Sequence, residues 1–206
     1  MSDIPPNIKM HFQLLINAFA ESDKFEKITI KKGSKFLITD NICCIQEGVF
    51  SIYMNQEDRL LTYAEGYAIF GLVNTYTPPT LRLYIKPTQT STIYNLPAEE
   101  GLKIIREKNL YESVSHVQAY NMTKFFHMFE KTITPNNYAF IRTLLMDLNQ
   151  NSDAVKASVT VASYIIKRSG LSRSYVMLVL SELRKGGYIN MEDGKLTSIT
   201  SLPERF

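Results

Sequence analysis

From Asn7 to Glu21, Ile8, Phe12, Leu15, Ile16 and Phe19 fall at helical spacing, which predicts an amphipathic helix at the start of the chain. Between Phe25 and about Leu96 the pattern shortens. Runs rich in β-branched and aromatic residues (Lys27–Ile30, Ile42–Ile45, Val49–Tyr53, Leu60–Tyr63, Leu81–Ile85 and Ser91–Tyr94) alternate with turn-forming segments. Those breaks are Lys32-Gly33-Ser34, Glu47-Gly48, Asn55 to Asp58 and Pro78-Pro79, and strands this short predict a small antiparallel barrel or roll.

Helical spacing returns after Pro97, with Glu99 and Glu100 in the first turn, and lasts to about Lys108. A longer helix is predicted over Leu110 to Ile133, which contains no Gly or Pro. Along it Val114, Val117, Asn121, Phe125 and Met128 form a seam, to be covered either by the chain's own roll or by a second copy. Thr134-Pro135 resets the chain, with Thr134 a candidate N-cap, and Tyr138, Ile141, Leu144, Leu145 and Leu148 mark the next amphipathic helix. Asn149 to Asp153 reads as a loop.

The most specific local pattern lies in residues 160–199. Val161–Lys167 reads as a short helix, Arg168 to Leu171 as a tight turn, and Ser172 as the N-cap of a second helix with Val176, Val179, Leu180 and Leu183 on its buried face. That helix ends in Arg184-Lys185-Gly186-Gly187, a basic last turn followed by glycine. Tyr188–Met191 and Leu196–Ile199 then flank Asp193-Gly194, a hairpin-turn dipeptide. Helix, turn, helix and hairpin make a winged helix, so the chain divides into residues 1–133, with the roll and connecting helix, and residues 134–206, with the winged helix.

Charge supports a functional reading of that segment. The chain has 206 residues with 23 Lys+Arg against 20 Asp+Glu, and the whole excess of three lies beyond residue 150. A polyanion would meet Lys167 to Lys185 first. A single helix fits the major groove of duplex DNA, where an arginine donates two hydrogen bonds to guanine. Arg173 is placed for that contact, Ser172 for a phosphate, and Ser174, Tyr175, Met177 and Leu178 follow along the same side. Met177 and Leu178 are equally compatible with a core position. Lys167, Arg168, Arg184, Lys185 and Lys195 suit phosphate neutralisation, which positions without reading sequence. The competing reading is a winged helix that binds a protein partner instead of DNA.

Other chemistry is thin. Cys43 and Cys44 stand side by side in a predicted strand, so their side chains should face opposite ways, either as small buried hydrophobes or as a redox pair. His116 and His127 lie about three turns apart on one predicted helix, and a metal there would need further ligands. Residues 25–96 contain no histidine, and no phosphate loop or nucleophile elbow is present, which argues against an enzyme built on the roll. The lack of a long apolar run and of a signal-like start at Met1-Ser2-Asp3 leads us to expect no membrane span and a cytoplasmic location.

The predicted roll, long helix and winged helix resemble the Crp/Fnr-like transcription regulators, and the Ser172-Arg173 pair after the turn is similar to that family's recognition-helix start. More closely, Ser172-Arg173-Ser174, Val179-Leu180, Leu183 to Gly186, Tyr188-Ile189, Met191, Gly194-Lys195-Leu196, Ser198-Ile199 and Leu202-Pro203 resemble the subgroup called inhibitor of hydrogen peroxide resistance, as does Phe70-Gly71-Leu72 upstream. The resemblance implies an α+β fold with an N-terminal cyclic-nucleotide-binding-like (cupin-like) β-roll, a long connecting helix and a C-terminal winged helix-turn-helix. It also implies a dimeric regulator of double-stranded DNA with a link to oxidative stress and RNA polymerase as a candidate contact. It does not bring the larger family's usual ligands. The cyclic-nucleotide cassette there uses a Gly-Glu pair and an arginine for the cyclic phosphate, whereas here Leu72 follows Gly71 and Arg82 sits between Leu81 and Leu83. Two adjacent cysteines cannot supply the four thiolates of an iron–sulfur cluster. No cofactor is therefore expected. Ser174 stands where that family often has Glu, so the operator should differ.

Overall fold

The computed structural model describes residues 4–54, 59–77 and 83–205. The chain forms two compact units, with the division falling between Phe126 and His127; residues 59 and 60 group with the second unit.

The first unit opens with α1 (Pro6–Phe19), whose Phe12, Leu15, Ile16 and Phe19 are buried as the spacing predicts. Eight strands follow: β1 (Glu26–Ile30), β2 (Phe36–Ile38), β3 (Asn41–Ile45), β4 (Val49–Met54), β5 (Arg59–Glu65), β6 (Ala68–Phe70), β7 (Leu83–Pro87) and β8 (Ser91–Pro97). They form two four-stranded sheets, ordered β1-β8-β3-β6 and β2-β7-β4-β5. The sequence pattern missed β2 and β6, which are only three residues long. The breaks read at Asn55 to Asp58 and at Pro78-Pro79 lie outside the described residues, as do Leu81 and Arg82, with which the Leu81–Ile85 run begins.

Both faces of the first sheet are covered. Ile30, Ile38, Cys43, Ile45, Phe50, Ile52, Ile85 and Ile93, drawn from both sheets, fill the inside of the roll. On the other face Ile42, Cys44, Ile69 and Leu96 pack with Phe12 and Phe19 of α1 and with residues of two further helices. These are α2 (Ala98–Glu107) and α3 (Tyr111–Glu130). β3 is thus apolar on both sides, and its alternation sends the two cysteines into different cores. Gly71 lets the chain pass close to β3: its φ is +84°, and a Cβ there would lie 2.0 Å from the Asn41 carbonyl oxygen.

The predicted seam on α3 divides. Val114 and Val117 are buried in the first unit's core, which removes them from any contact with a second copy. Further along, Met122, Phe125, Phe126, Phe129 and, beyond the helix end, Ile133 are exposed, Phe126 by 60%.

The second unit contains α4 (Asn137–Gln150), α5 (Asp153–Ser158), α6 (Val161–Ser169), α7 (Arg173–Lys185) and the hairpin β9 (Ile189–Glu192) with β10 (Lys195–Ile199). Asn136, not Thr134, caps α4, its side chain accepting from the Ala139 amide at 2.8 Å. The loop expected at Asn149 to Asp153 ends in α5, whose cap is Ser152. Its core joins Ile141, Leu145 and Leu148 of α4 with Tyr164 and Ile165 of α6 and Val176, Val179, Leu180 and Leu183 of α7. Among the described residues no helix is long and apolar enough to cross a membrane.

Candidate nucleic-acid interface

Local bonds fix the helix-turn-helix. Thr160 caps α6, its Oγ1 accepting from the Ser163 amide at 3.2 Å. At the other end Gly170 takes a φ of +71°, the left-handed conformation that closes a helix at little cost for glycine. The next helix begins two residues later, where Ser172 Oγ accepts from the Tyr175 amide at 3.3 Å, the cap that its position predicts. The wing is held against the start of α6 by the Val161 amide, which donates to the Gly194 carbonyl at 2.8 Å. Asp193 and Gly194 both have positive φ, as a two-residue hairpin turn requires.

Val176, Val179, Leu180 and Leu183 take up one side of α7 in packing. The opposite side is left outward and carries Ser174, Met177, Leu178, Ser181, Glu182 and Lys185, with Arg173 at its edge in the first turn, all exposed. Met177 is 47% and Leu178 54% exposed, so the core reading of these two residues is wrong. Tyr175 is half-buried. Lys167, Arg184, Lys185 and Lys195 are exposed around the helix and wing, with Lys185 donating to Glu182 at 2.7 Å.

Arg168 requires correction as a phosphate contact. Its side chain is only 8% exposed and is paired with Asp147 of α4. The Asp147 carboxylate also accepts from Lys131, which follows α3, and from the Tyr164 hydroxyl at 2.6 Å. Burial alone would raise the Asp147 carboxyl, but Arg168, Lys131 and Tyr164 outweigh it and hold the group below its ordinary value. Burial pushes the Tyr164 hydroxyl well up. The sequence reading missed this cluster. The one available signal was a charge, Asp147, set among the apolar Leu144, Leu145 and Leu148.

In the first unit, both cysteines are fully buried. Burial pushes the Cys43 thiol up to about 12, and burial reinforced by Cys43 pushes Cys44 well above its ordinary value. The exposed, low-pKa thiolate that a redox role needs is missing at both positions. His116 stacks on His11 at 4.0 Å between ring centres, and His11 Nδ1 lies 3.1 Å from Ser113 Oγ. Among the described residues no group of three or more His, Cys, Asp or Glu is placed to hold a metal ion. Leu72, where the cyclic-nucleotide cassette has its glutamate, is buried against α1 and α2.

Residues 137–204 match the family described as winged helix-turn-helix DNA binding. Among solved structures, the c-di-GMP responsive global regulator CLP of Xanthomonas campestris superposes with a TM-score of 0.76 at 11% identity, over 92% of this chain and 100% of that one. A transcriptional regulator of the Crp/Fnr family from Eubacterium rectale gives 0.67 at 14% identity, over 97% and 92%. Fold and helix-turn-helix thus define a fold class, that of the Crp/Fnr-like structures with a C-terminal winged helix. Within that class, the inhibitor of hydrogen peroxide resistance of Escherichia coli K12 is 30% identical over 205 residues, 93% of this chain and 99% of that protein. The protein of that name from Salmonella typhimurium LT2 is 29% identical over 196 residues, 89% of this chain and 94% of its own. The chain belongs to the family of the inhibitor of hydrogen peroxide resistance.

Proposed function

We propose that this protein is a dimeric, sequence-specific transcription regulator that reads duplex DNA with α7 and works without a cyclic nucleotide or other cofactor. The observation that carries the reading is the outward side of α7, where Arg173 and Ser174 stand at the start of a helix whose other side is fully committed to packing. Lys167, Arg184, Lys185 and Lys195 supply exposed positive charge for phosphates. The exposed Met122, Phe125, Phe126 and Phe129 of α3 supply the apolar surface for a second copy, and a two-fold dimer presents two recognition helices to a palindromic site.

Independence from cyclic nucleotides is supported by the apolar packing inside the roll and by Leu72, which offers no carboxylate to a ribose. The roll is then a scaffold that sets the dimer helix. The relatives' name supports a role in hydrogen peroxide resistance, exercised through the genes controlled and not through a thiol on this chain. The cytoplasm is the compartment in which such a regulator meets its DNA.

Selection from a random duplex pool with the full-length protein tests the reading. Enrichment of one palindromic sequence is expected, with no change in its affinity on adding cyclic AMP. A pool that shows no enrichment would overturn it.

A further inference from the structure

We propose that Met177 and Leu178 read the C5-methyl groups of thymines, and so fix A·T pairs beside the guanine contacted by Arg173. This deepens the DNA-binding reading above and depends on α7 lying in the major groove.

The outward side of α7 has an unusual make-up. Ser174, Met177, Leu178 and Ser181 follow one another at steps of three, one and three on the side away from Val176, Val179, Leu180 and Leu183, Arg173 stands at the edge of that side in the first turn, and the exposed Glu182 and Lys185 continue it. No Asn or Gln stands on that side, so the side chains that pair with adenine edges are missing from it. Glu182, the nearest carboxylate, accepts from Lys185. One arginine, two serines and two large apolar side chains remain to discriminate bases.

Met177 and Leu178 are not spare core residues, because the four positions that do face the core are filled and buried. Both are about half exposed in the middle of the strip, and Arg173, Arg184 and Lys185 lie along the same helix. Such surroundings suit a polyanion better than an apolar protein partner. Within the major groove the one apolar feature on a base edge is the thymine methyl. Ser174 and Ser181 are short enough to let the helix approach the base edges. Four residues of helix rise about 6 Å, close to two base-pair steps, so the methyls should lie within about two or three pairs of the guanine.

The test replaces thymine by uracil, which removes the methyl and leaves the hydrogen-bonding edge intact. Affinity for the selected operator is measured with uracil at each thymine in turn, for wild type, Met177→Ala and Leu178→Ala. Uracil at one or two positions per half-site should weaken wild-type binding about fourfold per methyl, as expected for burying one such group. At the position read by the truncated side chain, the matching alanine variant should bind the thymine and uracil duplexes equally. Specific binding that is indifferent to uracil at every position would overturn the proposal and leave the DNA reading standing. Unchanged operator affinity in both alanine variants would likewise overturn it. Failure of the full-length protein to prefer any duplex would remove the DNA reading and this proposal together. Both variants are surface substitutions, and matching thermal melts would confirm that they fold.

Discussion

Arg168 donates from Nη1 to Oδ2 of Asp147, so a residue placed among phosphate-binding cations by its neighbours in sequence instead joins α6 to α4 inside the C-terminal unit. The carboxylate is only 12% exposed and takes a second cation, Lys131, from the segment that follows α3. The residue pair therefore concerns stability before it concerns DNA.

Removing the carboxylate would leave Arg168 buried without its counter-charge. Asp147→Ala should lower unfolding stability at neutral pH by about 3 kcal/mol, the usual result of breaking one side of a buried ion pair. Because the Asp147 carboxyl is held below its ordinary value, its contribution is complete above the unfolded-state value near pH ~4 and is lost as pH falls through the lower folded-state value. Urea titrations of wild type and variant should therefore differ at pH 7 and converge in strong acid. A constant difference across that range would contradict the assignment.

Ser172 holds the first turn of α7 through the Tyr175 amide. Ser172→Ala should cost about 1 kcal/mol of stability and Ser172→Gly a few tenths, measured by thermal or denaturant unfolding. No loss in Ser172→Ala would mean that the hydroxyl bond is not what matters.

The cysteines lie in two separate apolar cores. In the native protein a thiol reagent at pH 8 should label neither Cys43 nor Cys44 except at the rate of unfolding, whereas the denatured chain should label both at once. The raised thiol pKa values also have a pH sign: the folded chain keeps its protons where the unfolded chain loses them. The cysteines' contribution to stability should accordingly decline as pH rises above about 9. Rapid stoichiometric labelling of native protein would reinstate a redox role.

How much the sequence disclosed depends on the range of the interactions. The buried face of α7, the Ser172 cap and the wing turn at Asp193-Gly194 are set within a few residues, and each stands where the local pattern puts it. β2 and β6 are too short for an alternation to register, and they form through pairing with β7 and β3. α5, at six residues, is below the length at which a helix stands alone; its Ser152 cap and the buried Val155 support it. The Arg168 pair spans twenty-one residues and cannot be read from spacing. The seam on α3 is not the one continuous stripe that spacing predicts, since its first half belongs to the roll's own core, where α1 and α2 meet it. At the candidate site, the residue types on α7 were legible, while the exposure of Met177 and Leu178 needed the packed structure to decide.

The remaining apolar surface of α3 gives the dimer a direct check. Phe126→Asp and Phe129→Asp place charge on exposed positions and should leave the monomer folded. Sedimentation should show the wild type at twice the chain mass and the double variant at the chain mass, with operator affinity reduced at least tenfold because two half-sites are no longer held together. A wild type that sediments as a monomer at micromolar concentration would contradict the dimer.

The most direct measurement is the affinity of wild type and Arg173→Ala for the duplex upstream of the protein's own gene and for random duplex of equal length, each at two salt concentrations. Wild type should prefer the upstream duplex, both duplexes should bind more weakly as salt rises, and Arg173→Ala should lose about ten- to a hundredfold on the upstream duplex only. If wild type binds neither duplex at low salt, α7 does not read DNA and the proposed function is wrong.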